Sequence, residues 1–135
     1  MNNLSFHITD ITANSIRANA SEIGLSVEEQ DTRIVIRITD NGSGMDAETA
    51  RRVTNPFYTT RTTRKVGLGL PFLIQNAEQT GGSVTLTSEP GKGTEVRAVF
   101  HSDHIDCPPW GDLPGTVALL ITGNPEINVC FEYRS

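Results

Sequence analysis

The run Arg33-Ile-Val-Ile-Arg-Ile-Thr39 stops at Asp40-Asn41-Gly42-Ser43-Gly44, and this junction limits the folds open to the chain more than any other feature. Apolar residues at a period of two define a strand with one buried face. Asn-Gly and Ser-Gly end it, because asparagine and glycine accept backbone conformations that a strand residue does not. Ile23 to Glu29 alternates in the same way, and the polar Gln30-Asp31-Thr32 between the two runs suits a hairpin turn. A second strand pair, Ser83 to Ser88 and Thr94 to Phe100, is joined by Glu89-Pro90-Gly91-Lys92-Gly93, a turn rich in glycine and proline.

Helical segments lie around these strands. From Asn3 to Ala20, Leu4, Ile8, Ile11, Ile16 and Ala20 recur at helical spacing. Asp46 is placed to cap a short helix through Val53, which Asn55-Pro56 breaks. Gly67-Leu68-Gly69-Leu70-Pro71 opens another helix, with Leu73, Ile74 and Ala77 on one side and Gly81-Gly82 as its stop. The first hundred residues therefore read α-β-β-α-α-β-β. A sheet with one apolar face needs a cover. The expected fold is α+β: a two-layer α/β sandwich with helices on one face of a mixed, mainly antiparallel sheet. Residues 1–100 are expected to form this domain. From His101 the texture changes, with His104, Asp106, Cys107, Pro108 and Pro109, then an apolar run around Val117 to Ile121 and a strand at Asn128 to Tyr133. Residues 101–135 are expected to be a C-terminal extension, and a chain that stops within its last strand is expected to be cut from a longer protein.

Composition excludes several classes. With 36% hydrophobic and 20% charged residues in 135, the chain has enough apolar material for one core and is not disordered. The net charge of −5 argues against a sequence-independent grip on nucleic acid. No stretch approaches the ~20 apolar residues needed to span a bilayer, and the N-terminus lacks a signal peptide, so no membrane and a cytoplasmic location are expected. Cys107 and Cys130 are then expected to be reduced. Positive charge is nonetheless clustered at Arg51, Arg52, Arg61, Arg64 and Lys65, a solvated face or a place to hold an anion. His101, His104, Asp106 and Cys107 are spaced too irregularly to argue for a metal site.

Three groups of residues have chemistry to offer. Asp40 ends a strand before two glycines, so a carboxylate can accept from an exocyclic amine where the backbone lets a ligand approach. Alone, Asp-Asn-Gly is a common turn. Asn14 stands in mid-helix, a poor position for asparagine, and its amide oxygen suits a hard cation such as Mg²⁺. Asp10 lies one turn away on the same face, placed to orient or deprotonate a water or a hydroxyl. Alone, these two make an ordinary polar face. Gly67-x-Gly69 at a helix start offers free N–H groups and the positive end of a helix dipole to phosphate, with Arg61, Arg64 and Lys65 just before it. It lacks the Gly-Lys-Ser/Thr ending of a Walker loop and the preceding strand of a Rossmann fingerprint.

Their order resembles the Bergerat-fold ATPases: histidine kinases, gyrase, Hsp90 chaperones and mismatch-repair proteins. Asp10-Ile-Thr-Ala-Asn14-Ser15 looks like the N box and Asp40-Asn-Gly42-Ser-Gly44-Met45 like the G1 box. Asn55-Pro-Phe57-Tyr58-Thr59-Thr60 looks like the F box and Gly67-Leu68-Gly69-Leu70 like the G2 box, and Gly81-Gly82-Ser-Val through Gly91-Lys-Gly93-Thr94 resembles the closing sequence. The resemblance covers about the first hundred residues and implies ATP and Mg²⁺ as cofactors. By it, Asn14 holds Mg²⁺, Asp40 binds the adenine amino group, Gly42 and Gly44 line the base, and Thr94 sits near the adenine. Asn55 to Val66 is the implied ATP lid, and Gly67 and Gly69 meet the phosphates. Met45, Phe57, Thr59, Thr60, Arg61, Lys65, Leu68 and Leu70 complete the implied nucleotide-binding set. Phe57-Tyr-Thr-Thr60-Arg61 is most like histidine kinases, whereas Asn14-Ser-Ile-Arg-Ala-Asn-Ala20 also resembles the hydrolytic branch. The hydrolytic members carry glutamate where this chain has Asp10, which argues against strong hydrolysis. No helical hairpin with a phosphoacceptor histidine precedes the motifs, so a stand-alone kinase that phosphorylates a protein partner is expected, like anti-sigma-factor kinases. A non-enzymatic ATP-dependent switch is the alternative, with slow ATP hydrolysis a third reading. A homodimer is compatible with the resemblance.

Overall fold

The computed structural model describes residues 3–54 and 69–135. Helix α1 (Leu4–Arg17) precedes a hairpin of β1 (Glu22–Gln30) and β2 (Arg33–Asp40). Then come α2 (Ala47–Thr54), α3 (Gly69–Gln79), β3 (Ser83–Glu89), β4 (Gly93–His101), α4 (Leu113–Gly123) and β5 (Asn128–Arg134). The strands form one sheet in the order β3-β4-β2-β1-β5. The first three pairings are antiparallel, and β5 runs parallel to β1. This is the mixed, mainly antiparallel α+β sheet that the alternating runs imply.

Element ends follow local chemistry. The side chain of Asn3 accepts the Phe6 N–H at 2.6 Å and so caps α1 instead of joining it. The helix closes at Arg17, short of Ala20, because Asn19 takes a left-handed φ of 63° and turns the chain toward β1. Gln30 pairs with Arg33, leaving Asp31-Thr32 as a two-residue turn. The carboxylate of Asp46 accepts the Thr49 N–H at 2.8 Å, capping α2 as its position suggests. After α3, Gly81 and Gly82 donate back to the carbonyls of Glu78 and Ala77, each at 3.0 Å.

One sheet face carries the core. Ile34, Ile36 and Ile38 of β2 stand between Leu25 and Val27 of β1 and Val96, Ala98 and Phe100 of β4, all buried. Against them lie Leu4, Ile8 and Ile11 of α1 and Leu70, Leu73 and Ala77 of α3. Ile74 is only half-buried, so the packed stripe of α3 runs through Leu70 instead. On the opposite face Val35 pairs with Val99, both buried, and Arg37 donates to Glu95 at 2.8 Å.

The residues after β4 return to the start of the chain. The Leu4 and Ser5 N–H groups donate to the carbonyls of Pro109 and Trp110 at 2.8 and 3.1 Å. The Trp110 indole donates to Glu29 at 2.9 Å, and the Tyr133 hydroxyl donates to the other oxygen of that carboxylate. The apolar run at Val117 to Ile121 lies in α4, which buries Val117 and Leu120 and leaves Leu119 exposed. Among the described residues, no helix is long and apolar enough to cross a membrane.

Candidate functional site

The period of the strands and of α1 decides where the polar groups meet. Asp40 shares its parity with Ile34, Ile36 and Ile38, so it points to the helix side of the sheet, where the core ends. Thr94 is its direct partner on β4 and shares the parity of Val96 and Ala98. On α1, Ile11, Asn14, Ser15 and Ala18 continue the stripe begun by Leu4 and Ile8. The result is a cavity of about 280 Å³, with Ile11, Ile38, Leu70 and Val96 as its apolar wall. Asn14, Ser15, Arg17, Asp40, Ser43, Thr49 and Thr94 give it polar groups, and Gly44 and Met45 complete the described lining with Ala18.

Asp40 is fixed at both oxygens. Ser15 Oγ donates to Oδ2 at 2.6 Å, and the Gly42 N–H donates to Oδ1 at 2.8 Å. The loop that carries Gly42 is itself tied down, since the Ser43 N–H donates to the Ala18 carbonyl at 2.9 Å and the Ser43 carbonyl accepts the Gly91 N–H at 2.7 Å. The Met45 N–H donates to Ser88 Oγ at 2.8 Å, and Ser88 lies 2.8 Å from the Thr94 hydroxyl. Asn14 Oδ1 accepts from the Arg17 guanidinium one turn on. Burial pushes the Asp10 carboxyl above its ordinary value, and the Arg17 charge opposes that shift.

Of the residues singled out from the sequence, Asn14, Asp40, Gly44, Met45, Leu70 and Thr94 are brought together around the cavity. Gly42 acts on Asp40 through its N–H. Asp10 is half-buried and is not part of the described lining. Gly69 opens α3. Phe57, Thr59, Thr60, Arg61, Lys65, Gly67 and Leu68, and the lid assigned to Asn55 to Val66, lie outside the described residues. Sequence reasoning missed the polar lining residues Ser15, Arg17, Ser43 and Thr49, and the apolar ones Ile11, Ala18, Ile38 and Val96. The available signal was helical spacing: Ser15 is four residues after the core residue Ile11, and Arg17 is three after Asn14.

Residues 3–104 match the family described as histidine kinase-, DNA gyrase B-, and HSP90-like ATPases, and the chain belongs to it. A putative sensor protein of Shewanella frigidimarina is 32% identical over 97 residues, covering 69% of this chain and 15% of that protein. The sensor histidine kinase YxdK of Bacillus subtilis is 29% identical over 104 residues, 72% of this chain and 32% of the kinase. Sporulation kinase C of the same organism is 30% identical over 101 residues, 73% of this chain and 23% of the kinase. The chain thus spans at most a third of the length of these relatives. Family and relatives together make it an ATP-binding domain of the kinase type.

Proposed function

We propose that this chain binds ATP with Mg²⁺ and serves as, or within, a signalling kinase that passes the γ-phosphoryl group to a residue on a partner protein. The observation that carries the reading is the meeting of Asn14 and Asp40 at one cavity, 26 positions apart in sequence, with the Asp40 carboxylate already held by two donors. A carboxylate accepts hydrogen bonds and so fits the adenine amino group, while the apolar wall fits the base. The amide oxygen of Asn14 suits Mg²⁺. That oxygen now accepts from Arg17, so metal binding exchanges one cation for another. When bound, Mg²⁺ would neutralise charge on the phosphates during transfer. Gly69, which opens α3, and Gly67 are assigned to the phosphates, with Arg61 and Lys65 as cationic support. Asp10 is assigned to the acceptor hydroxyl or ring nitrogen, since a carboxyl raised by burial is a better base once ionised.

One observation favours a second reading, a non-enzymatic switch in which ATP alters the surface shown to a partner. Asp10 stands outside the described cavity lining, and the carboxylate that does line it, Asp40, is held by Ser15 and Gly42. Incubation with γ-labelled ATP, Mg²⁺ and an extract of the source cells separates the two. A specific labelled protein band supports the kinase. Tight ATP binding with neither transferred label nor released phosphate removes the kinase and leaves the switch.

A further inference from the structure

We propose that Ser15 is a positioning residue for base recognition, and that it makes the inner end of the cavity selective for a 6-amino over a 6-oxo purine. The inference rests on the reading that the cavity holds the base of ATP. Ser15 is 2% exposed, lines the cavity, and donates to Asp40 Oδ2 at 2.6 Å. That length lies in the range of charge-assisted O–H···O⁻ bonds.

The proton inventory gives the pair its consequence. A serine hydroxyl has one proton and two lone pairs, and a carboxylate has acceptors alone. With its proton committed to Asp40, Ser15 has only acceptor capacity left for a ligand. Asp40 Oδ1 is engaged by the Gly42 N–H at 2.8 Å, so the carboxylate is pinned at both oxygens and cannot rotate without breaking one bond. A base edge that reaches this corner meets acceptors from both residues. An exocyclic amine at position 6 satisfies them, whereas a carbonyl there sets oxygen against oxygen. Without Ser15, Oδ2 loses its fixed direction and the corner loses one acceptor. The serine therefore acts both on the carboxylate and on the choice of base.

The test compares affinities for ATP and for inosine triphosphate, which differ at this position, in Mg²⁺ by titration calorimetry. Wild type is expected to prefer ATP. Ser15→Ala should weaken ATP binding about tenfold and inosine triphosphate binding much less, narrowing the preference. Ser15→Cys keeps the branching of the side chain with a larger atom and a weak donor and should follow alanine. In an Asp40→Asn background, Ser15→Ala should add little, because the two residues act as one unit. Equal losses for both nucleotides, or none, overturn the role of Ser15 while leaving the cavity as the ATP site. Failure of wild type to bind ATP overturns the site and this inference together. Thermal melts identify any variant that has lost its fold, and the cysteine variant then carries the comparison.

Discussion

His7 shows how a single side chain ties folding to pH. It is 1% exposed, ringed by Phe72 at 5.1 Å and Phe100 at 6.4 Å, and its Nε2 lies 2.7 Å from the amide nitrogen of Asn76. With that amide donating, the ring proton sits on Nδ1, a buried atom without a hydrogen-bond partner among the described residues. A second proton would place a charge in the core, so burial lowers the pKa from 6.5 to about 4. The native state then binds fewer protons than the unfolded chain below pH 6.5. The stability that a neutral His7 secures is complete above that pH and is lost as pH falls toward 4. Urea midpoints should show a loss of about 2 kcal/mol between pH 7 and pH 5 from this residue, and His7→Leu should remove that part of the pH dependence. Unchanged pH dependence in the variant would mean that the ring is not buried as described. The residue scale is also where sequence carried least. Asn14 and Asp40 were legible because their order with the glycine loops is specific. The bond between Ser15 and Asp40 was not, since nothing local to a helical serine shows a partner 25 residues away.

At the scale of elements, the loop after β2 depends on how closely it approaches the turn between β3 and β4. Gly44 has a left-handed φ of 71°, and a Cβ there would lie 1.9 Å from the Glu89 carbonyl oxygen. Gly91 has a similar φ of 78° with nothing within 4 Å of the same position. The two separate backbone strain from crowding. Gly91→Ala should cost about 1 kcal/mol, the penalty of a left-handed conformation alone. Gly44→Ala should cost at least about 2 kcal/mol more, because the strand turn must move. It should also weaken ATP binding, since Ser43 and Met45 on the same loop line the cavity. Equal losses in denaturant and unchanged ATP affinity for both variants would show that the close approach does not shape the site. The first four strands and three helices were legible because their periods are clear and their turns carry the right residues. The segment Leu113–Gly123 was harder, for it has no charged residue and its apolar run does not distinguish strand from helix. The placement of β5 was not legible at all, because parallel pairing with β1 is a tertiary contact between nearly opposite ends of the chain.

For the whole molecule, the question is where the folding unit ends. The family match stops at residue 104, and the change of texture at His101 suggested a domain of residues 1–100 with an extension after it. The later residues nevertheless touch the helix that carries Asn14 and Ser15. Pro109 and Trp110 accept from the first N–H groups of α1, and Ser5 Oγ adds a bond to the Trp110 carbonyl at 2.6 Å. Trp110 and Leu113 pack against the core, Val117 belongs to it, and β5 covers the edge of β1. A chain ended after residue 104 would leave those N–H groups without their partners and open the β1 edge. Each buried aliphatic side chain is worth about 1.5–3 kcal/mol and each hydrogen bond about 1 kcal/mol. The expected loss is therefore more than about 4 kcal/mol, enough to make a small domain marginal. Denaturant unfolding of residues 1–104 beside residues 1–135 measures it. A lost or much weakened transition, with ATP restoring part of it by binding only the folded form, identifies the C-terminal residues as part of the nucleotide-binding unit. Equal stability and equal ATP affinity in the two chains would instead make residues 105–135 a separable extension, laid over a domain that folds without them.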